Sequence, residues 1–77
     1  MTTPRLPVIS GRDAVRTFEK DGWRLVRQRG SHMIMARLGV SVVLSIPDHR
    51  ELKRGTLRGL IRKAGLDVEG FTSLLQN

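Results

Sequence analysis

The sequence predicts a small α+β domain in which helices cover one face of a three-stranded antiparallel sheet. The chain has 77 residues, enough for one hydrophobic core and too few for a second. Three short extended segments follow one another with only Gly30 and Gly39 between them, which is typical of an antiparallel meander. The segments before and after this run have the apolar spacing of amphipathic helices. The predicted order is therefore α-β-β-β-α-α, in a single domain that spans residues 1–77.

The first helix is predicted at about residues 11–21, after an extended arm at residues 1–8. Ser10 is a typical N-cap residue, and Asp13 three positions later completes a capping box. Gly22 can adopt the left-handed conformation that ends a helix. The apolar stripe of this helix comprises Ala14, Val15 and Phe18.

Three extended segments are predicted to be the strands, at residues 23–29, 31–38 and 40–46. The third has the clearest pattern, because apolar residues alternate along it: Val40, Val42, Leu44 and Ile46. Pro47 is expected to end the sheet. The sequence does not decide which side of the second strand faces the helices. We expect either Met33 or Met35 on the uncovered face, together with Val43 and serines.

Two further helices are predicted after a polar connector at residues 48–54. The longer one has apolar residues at i, i+3, i+4 and i+7, which are Leu57, Leu60, Ile61 and Ala64. Gly65 is expected to end it. Asp67 is the expected N-cap of a last short helix, whose apolar contacts are Phe71, Leu74 and Leu75.

The chain is strongly basic, with 14 Lys and Arg against 7 Asp and Glu and a net charge of +7. This balance indicates a polyanionic partner. Arginine greatly outnumbers lysine, and its planar guanidinium matches phosphate oxygens, so we expect nucleic acid rather than a membrane surface. The alternative is a basic surface that serves only solubility.

Two other features of the composition restrict the class of protein. The absence of cysteine excludes disulfides and thiolate metal sites. No apolar run approaches the roughly 18 residues of a membrane span, and the first residues lack the apolar stretch of a signal peptide. A cytoplasmic location without membrane contact is expected.

The candidate catalytic residue is His32, in the sequence Gly30-Ser31-His32 where one strand ends and the next begins. Histidine exchanges protons near neutral pH, and RNA carries its own nucleophile in the 2′-OH. A histidine beside several cations is therefore suited to metal-independent RNA cleavage. The alternative is a turn histidine that only binds backbone groups.

His49 is the other histidine, in the connector after the third strand. A packing or capping role is favoured over a second acid–base role. Its neighbours Asp48 and Glu51 do not give a metal-ligand spacing, so neither a metal nor a small-molecule cofactor is expected.

Arg54, Arg58 and Arg62 recur every four residues and so form one row on the longer helix. They are either a track for phosphates or simply a solvated helix face. The three aromatic residues, Phe18, Trp23 and Phe71, all fall at predicted core positions, which makes recognition of single strands by base stacking improbable.

Five short segments occur in an order typical of a known family: Ile9-Ser10-Gly11, Gly22-Trp23, Val26–His32, Ile46–His49 and Lys53–Leu66. Together they resemble the HicA toxins, the mRNA interferases of HicA/HicB toxin–antitoxin modules. The resemblance extends over about residues 6–75.

This resemblance implies a fold similar to the double-stranded-RNA-binding domain and an endoribonuclease that cleaves mRNA. It implies that His32 is essential and that a HicB-like antitoxin covers the active site. His49 matches a family position that we interpret as structural or close to substrate. We add Ser31, Arg27, Arg29 and Lys53 as candidate substrate-binding residues. Two alternatives are a non-catalytic basic module that binds double-stranded RNA and a protein that binds an acidic partner.

Overall fold

The computed structural model describes residues 5–77, which form three helices and a three-stranded sheet. The elements are α1 (Gly11–Lys20), β1 (Arg24–Arg29), β2 (His32–Ala36), β3 (Leu44–Pro47), α2 (Arg54–Lys63) and α3 (Val68–Gln76). The sheet is antiparallel with the order β1-β2-β3. This confirms the predicted α+β class and element order. Half of the predicted N-terminal arm lies outside the described residues, and residues 5–8 have no regular secondary structure.

The capping box at the start of α1 forms as predicted. The Ser10 hydroxyl oxygen accepts the N–H of Asp13 at 3.0 Å, and the Asp13 carboxylate accepts the N–H of Ser10 at 3.4 Å. Arg16 also donates to Asp13, at 2.6 Å. The pKa of Asp13 is lowered below its ordinary value. The main cause is the hydrogen bond from Arg16, and the next is the hydrogen bond from the backbone of Ser10.

The core lies between the helices and one face of the sheet. Its residues are Ile9, Ala14, Val15, Phe18, Trp23, Met33, Met35, Leu44, Ile46, Leu52, Leu57, Leu60, Ile61 and Phe71. The rings of Phe18 and Phe71 pack at a centroid distance of 5.1 Å, which joins α1 to α3. The Lys20 ammonium donates to the carbonyls of Leu74 and Asn77 and so completes the end of α3.

The last helix has the predicted N-cap. The Asp67 carboxylate accepts the N–H of Gly70 at 2.7 Å. A Cβ at Gly70 would lie 2.9 Å from that same oxygen, so glycine allows the close approach of the cap. Gly65, with φ of +81°, separates α2 from α3 as expected.

The strand predictions were wrong in two respects. The third strand was expected from residue 40, but β3 begins at Leu44, and Val40, Val42 and Val43 are all partly exposed. β2 ends at Ala36, which is opposite Val43 in this register, so residues 40–42 have no strand to pair with. Their alternating pattern is a local property, whereas pairing requires a partner at the right register.

The second error concerns the two faces of β2. Both Met33 and Met35 are buried against the helices, at 5% and 0% exposure, so neither lies on the uncovered face as expected. Ile34 and His32 occupy that face instead.

Among the described residues, no helix is long and apolar enough to span a lipid bilayer.

Candidate active site

The face of the sheet opposite the helices carries His32. Cross-strand pairing places one set of residues on this open face: Arg24, Arg27, Arg29, His32, Ile34, Ala36, Ser45 and Pro47. Their immediate neighbours in β2 and β3 are the buried methionines, Leu44 and Ile46. The open face therefore contains three arginines and a histidine, and no carboxylate among the paired residues.

A β-bulge in β1 brings all three arginines onto the open face. Arg24 pairs with Ala36 and Arg27 with Ile34, although their separation of three residues would put them on opposite faces of a regular strand. The pairing shifts between Leu25 and Arg27, so that one extra residue is accommodated there. The strand thereby turns Arg24 to the same side as Arg27 and Arg29.

His32 lies at the centre of the sheet's end, between the two neighbouring strands. Its Cα is paired with Arg29 on one side and with Pro47 on the other. A shallow depression of about 350 Å³ is lined by Arg29, His32, Ile34 and Ser45. The imidazole is exposed, as a residue that meets a polymeric substrate must be.

A tight turn fixes the position of His32. Gly30 and Ser31 are the only residues between β1 and β2, and Gly30 has φ of +58° while Ser31 has a negative φ. Glycine in the first of two turn positions is the pattern of a type II′ hairpin, whose twist matches that of the strands. The Gln28 side chain donates to the Gly30 carbonyl at 3.1 Å.

The connector after β3 holds this turn from the other side. The N–H of Asp48 donates to the Ser31 carbonyl at 2.7 Å. The His49 carbonyl in turn accepts the N–H of Gly11, at 2.9 Å, and so ties the connector to the start of α1. Three of the segments that carry the family resemblance therefore meet here: Ile9–Gly11, the turn before His32, and Ile46–His49.

Gly11 makes this meeting possible. A Cβ at position 11 would lie 1.9 Å from the Pro47 carbonyl oxygen, so only glycine permits the observed approach of α1 to the connector. Next to it, the Arg12 guanidinium donates to the Asp48 carboxylate at 3.2 Å. This hydrogen bond, together with the attraction between the two charges, raises the pKa of Arg12.

The structure brings only some of the predicted site residues together. Arg29 lines the depression with His32, and Arg27 is the pairing partner of Ile34, which also lines it. Ser31 contributes its backbone carbonyl to the connector. Lys53 is exposed at the N-cap of α2, outside the depression.

His49 also lies outside the depression, and its side chain is exposed. Its backbone carbonyl, rather than its imidazole, makes the contact with α1.

Ser45 and Arg24 are site residues that the sequence analysis missed. Ser45 was expected simply as one of the serines of the sheet surface, and the arginine spacing in β1 gives no sign of the bulge. Within residues 5–77, no three His, Cys, Asp or Glu side chains cluster as metal ligands would.

Comparison with known proteins bears on the same region. The family described as "HicA toxin of bacterial toxin-antitoxin" matches residues 11–66. The chain belongs to the HicA toxin family. The matched range of this HicA chain contains α1, the whole sheet, the turn before His32 and α2. The fold agrees with the HicA arrangement, which is similar to that of the double-stranded-RNA-binding domain.

A solved structure gives further support for the HicA assignment. A chain of a "Toxin-Antitoxin complex from Streptococcus pneumoniae" is similar to this protein, with 32% sequence identity and a TM-score of 0.68. The alignment covers 75% of this chain and 98% of that chain. A comparison with curated protein sequences gave no significant match.

Proposed function

We propose that this HicA chain is an mRNA interferase, a metal-independent endoribonuclease that uses His32 as its general base. The observation that carries the proposal is the pairing of His32 with Arg29 at one depression on the open face. A proton acceptor and a fixed cation then lie side by side on a surface where a polyanion can bind. The HicA family membership supports a toxin role for this activity.

In the proposed reaction the neutral His32 imidazole takes the proton of a ribose 2′-OH. The 2′ oxygen forms a bond to the adjacent phosphorus, and the bond from phosphorus to the 5′ oxygen breaks. The products are a 2′,3′-cyclic phosphate and a 5′-OH, which receives its proton from a general acid or from water. Removal of the 2′-OH proton by a placed base accounts for a factor of about 10² to 10⁴ in rate.

The cations of the open face have two roles in this proposal. Arg29 is close enough to His32 to stabilise the negative charge that develops on the phosphate. Arg27 and Arg24, farther along β1, bind flanking phosphates and hold the strand across the depression. Ser31 and Ser45 offer hydroxyl groups to the same phosphates, and Lys53 contacts RNA outside the depression.

The same face is the proposed binding site of a HicB-like antitoxin. The similar Streptococcus pneumoniae chain comes from a toxin–antitoxin complex, which supports a protein partner for this chain as well. Such a partner would silence the enzyme by covering His32 and its arginines. A cytoplasmic location, where mRNA is present, follows from this proposal.

The direct test replaces His32 and follows the cleavage of a labelled mRNA by protein free of any partner. His32→Ala should fold normally and cleave about 10²- to 10⁴-fold more slowly, because a general base is lost. His49→Ala is the matched control, since it removes the other exposed histidine and leaves the backbone bond to Gly11 intact. Wild-type rates in His32→Ala would show that another group is the base.

The alternative function is a module that binds double-stranded RNA without cleaving it. The basic surface supports RNA binding under either hypothesis, so affinity does not separate them. Turnover does, because a binding module would leave the labelled mRNA intact at any concentration of wild-type protein.

A further inference from the structure

A second basic surface lies on α2, away from the open face. Arg54, Arg58 and Arg62 are all exposed and form a row along the helix, here called the arginine ridge. The row is about 12 Å long, because the rise is about 1.5 Å per residue. α2 buries Leu57 and Ile61 in the core between the helices and the sheet. The arginine ridge therefore lies in the helical layer, whereas His32 lies on the open face of the sheet.

The arginine ridge has no carboxylate partner among residues 5–77. The ion pairs within that range are Arg12–Asp48, Arg16–Asp13 and Arg37–Asp21, and none involves α2. The groove beside Arg58 and Arg62 does contain acidic residues of the next helix, Asp67 and Glu69, but neither reaches an ion-pair distance. The positive charge of the ridge is thus left for an external anion.

Two charge effects in α2 are unfavourable for the isolated helix, although Arg62 and Lys63 suit its C-terminal end. Arginines four residues apart repel each other. The first turn contains no acidic residue and begins with Arg54, although a helix N-terminus favours negative charge. The N-cap Lys53 provides no side-chain hydrogen bond. A bound polyanion would relieve both effects.

The row of α2 next to the arginine ridge contains two glycines. Gly55 and Gly59 are exposed in the helix, where glycine is less favourable than alanine. A Cβ added at either position would meet nothing within 4 Å, so packing inside the protein does not require glycine there. The bare backbone beside the ridge allows a ligand to approach closely on the side that faces away from Asp67 and Glu69.

We propose that the arginine ridge and its neighbouring glycine row bind the phosphate backbone of double-helical RNA. The inference rests on the proposed RNA substrate and extends it to a second contact surface. A duplex is favoured over a single strand because all three aromatic residues are buried, at 0 to 2% exposure, and offer no surface for base stacking. The substrate is then a structured RNA, with a stem on the ridge and a flexible strand that reaches the open face.

The first test measures binding of an RNA duplex of about 16 base pairs, a length typical of duplex-binding modules. The full chain carries His32→Ala to prevent cleavage. Arg58→Gln/Arg62→Gln should lower the slope of log affinity against log salt by about 2, since each lost phosphate contact removes roughly 0.9. Arg5→Gln/Arg50→Gln is the matched control, because it removes the same charge from exposed positions outside α2 that form no ion pair within residues 5–77. Equal slopes in the two double variants would overturn the proposal.

The second test uses Gly55→Ala/Gly59→Ala in the same background. These changes should raise the thermal midpoint of the free protein and yet weaken its binding of the duplex, because the added methyl groups obstruct the approach of the backbone. A purely structural role of α2 would raise the midpoint and leave the affinity unchanged. An unchanged affinity would contradict the inference. It would also be contradicted if the arginine variants of the ridge bound the duplex normally and lost only the binding of an acidic protein.

The binding tests and the proposed cleavage fail in distinguishable ways. If wild-type protein leaves mRNA intact while the ridge variant loses duplex binding, the proposed enzyme activity is wrong and the ridge assignment stands. If wild-type protein cleaves mRNA and the ridge variant binds the duplex as the control does, the ridge assignment is wrong and the cleavage stands.

Discussion

Gly11 connects the first turn of α1 to the candidate active site through its missing side chain. Its N–H bonds to the His49 carbonyl, and its Cα approaches the Pro47 carbonyl more closely than any side chain would allow. The connector held in this way donates from Asp48 to Ser31, directly before His32. Gly11, which has no side chain, thus helps to fix the position of the candidate base His32.

Gly11→Ala is expected to destabilise the fold by about 1–3 kcal/mol, the range for a methyl group forced into a packed site. Cleavage should fall as well, because α1 and the connector must move apart. Urea unfolding and the mRNA assay measure the two effects. Gly59→Ala is the control for the unfolding measurement alone, since its added Cβ meets nothing within the protein, and it should stabilise by about 1 kcal/mol or less. A Gly11→Ala protein as stable as wild type would show that the contact relaxes without cost.

Individual site residues differed in how far the sequence could predict them. Gly30 lies two residues before His32 at a strand boundary, so the place of His32 beside a turn was predictable from local chemistry. Arg24 was not, because its place on the open face depends on a bulge that the residue types of β1 do not specify. Ser45 belongs to the site only because β3 pairs with β2 at one register.

At the scale of elements, α1 depends on a charged cap. The Asp13 carboxylate accepts hydrogen bonds from Arg16 and from Ser10, and these bonds lower its pKa in the folded protein. Because the pKa of Asp13 is lower in the folded protein, the ionised carboxylate stabilises the fold. This stabilisation is fully present when the pH is above the pKa of Asp in the unfolded chain, about 3.9, and it is lost as the pH falls through the pKa of the folded protein.

Asp13→Asn should therefore be less stable than wild type near neutral pH and equally stable in strong acid. The difference should be about 0.5 kcal/mol, because the carboxylate is 41% exposed and water screens its pairing with Arg16. Urea midpoints of both proteins between about pH 7 and pH 2 would measure it, across the range in which the carboxylate titrates. A difference that persists unchanged to the lowest pH would mean that shape, and not charge, sets the cap.

The helices were predictable and the sheet was less so. Caps, glycine stops and the spacing of apolar residues are local signals, and they placed the bounds of α1 and α2 and the start of α3 within a residue or two of those observed. Strand length is decided by a partner that is distant in sequence, so Val40 and Val42 fall outside β3 despite their alternation. Exposed apolar residues in the same connection, including the fully exposed Leu38, follow from this loss of pairing.

At the scale of the whole molecule, two basic surfaces lie on different layers, and His32 is on one of them. An acidic antitoxin should associate rapidly with such a protein, and added salt should slow the association more than the dissociation. Mixing it with the His32→Ala protein should protect the amides of residues 24–35 in hydrogen exchange. Protection confined to α2 and α3 would instead show that the partner leaves His32 uncovered and acts at the arginine ridge or from a distance.

The proposed mechanism predicts whether cleavage needs a metal and which chemical groups the RNA fragments carry at their ends. Cleavage by the 2′-OH requires only a base and fixed cations, so excess EDTA should leave the rate unchanged. The fragments should carry 2′,3′-cyclic phosphate ends, which mass spectrometry of a short RNA would identify. A 5′-phosphate product that requires Mg²⁺ would indicate attack by metal-activated water.

The bulge in β1 has a consequence for changes in chain length. Without Val26, the remaining residues alternate regularly: Arg24, Arg27 and Arg29 fall on one side, and Leu25 and Gln28 on the other. Deletion of Val26 should therefore preserve the basic surface and simply straighten the strand. Deletion of Gln28 would instead disturb the alternation between Arg27 and Arg29. Shortening of the strand at the bulge, rather than next to the turn, is thus the change in chain length that leaves all three arginines on the face that holds the histidine.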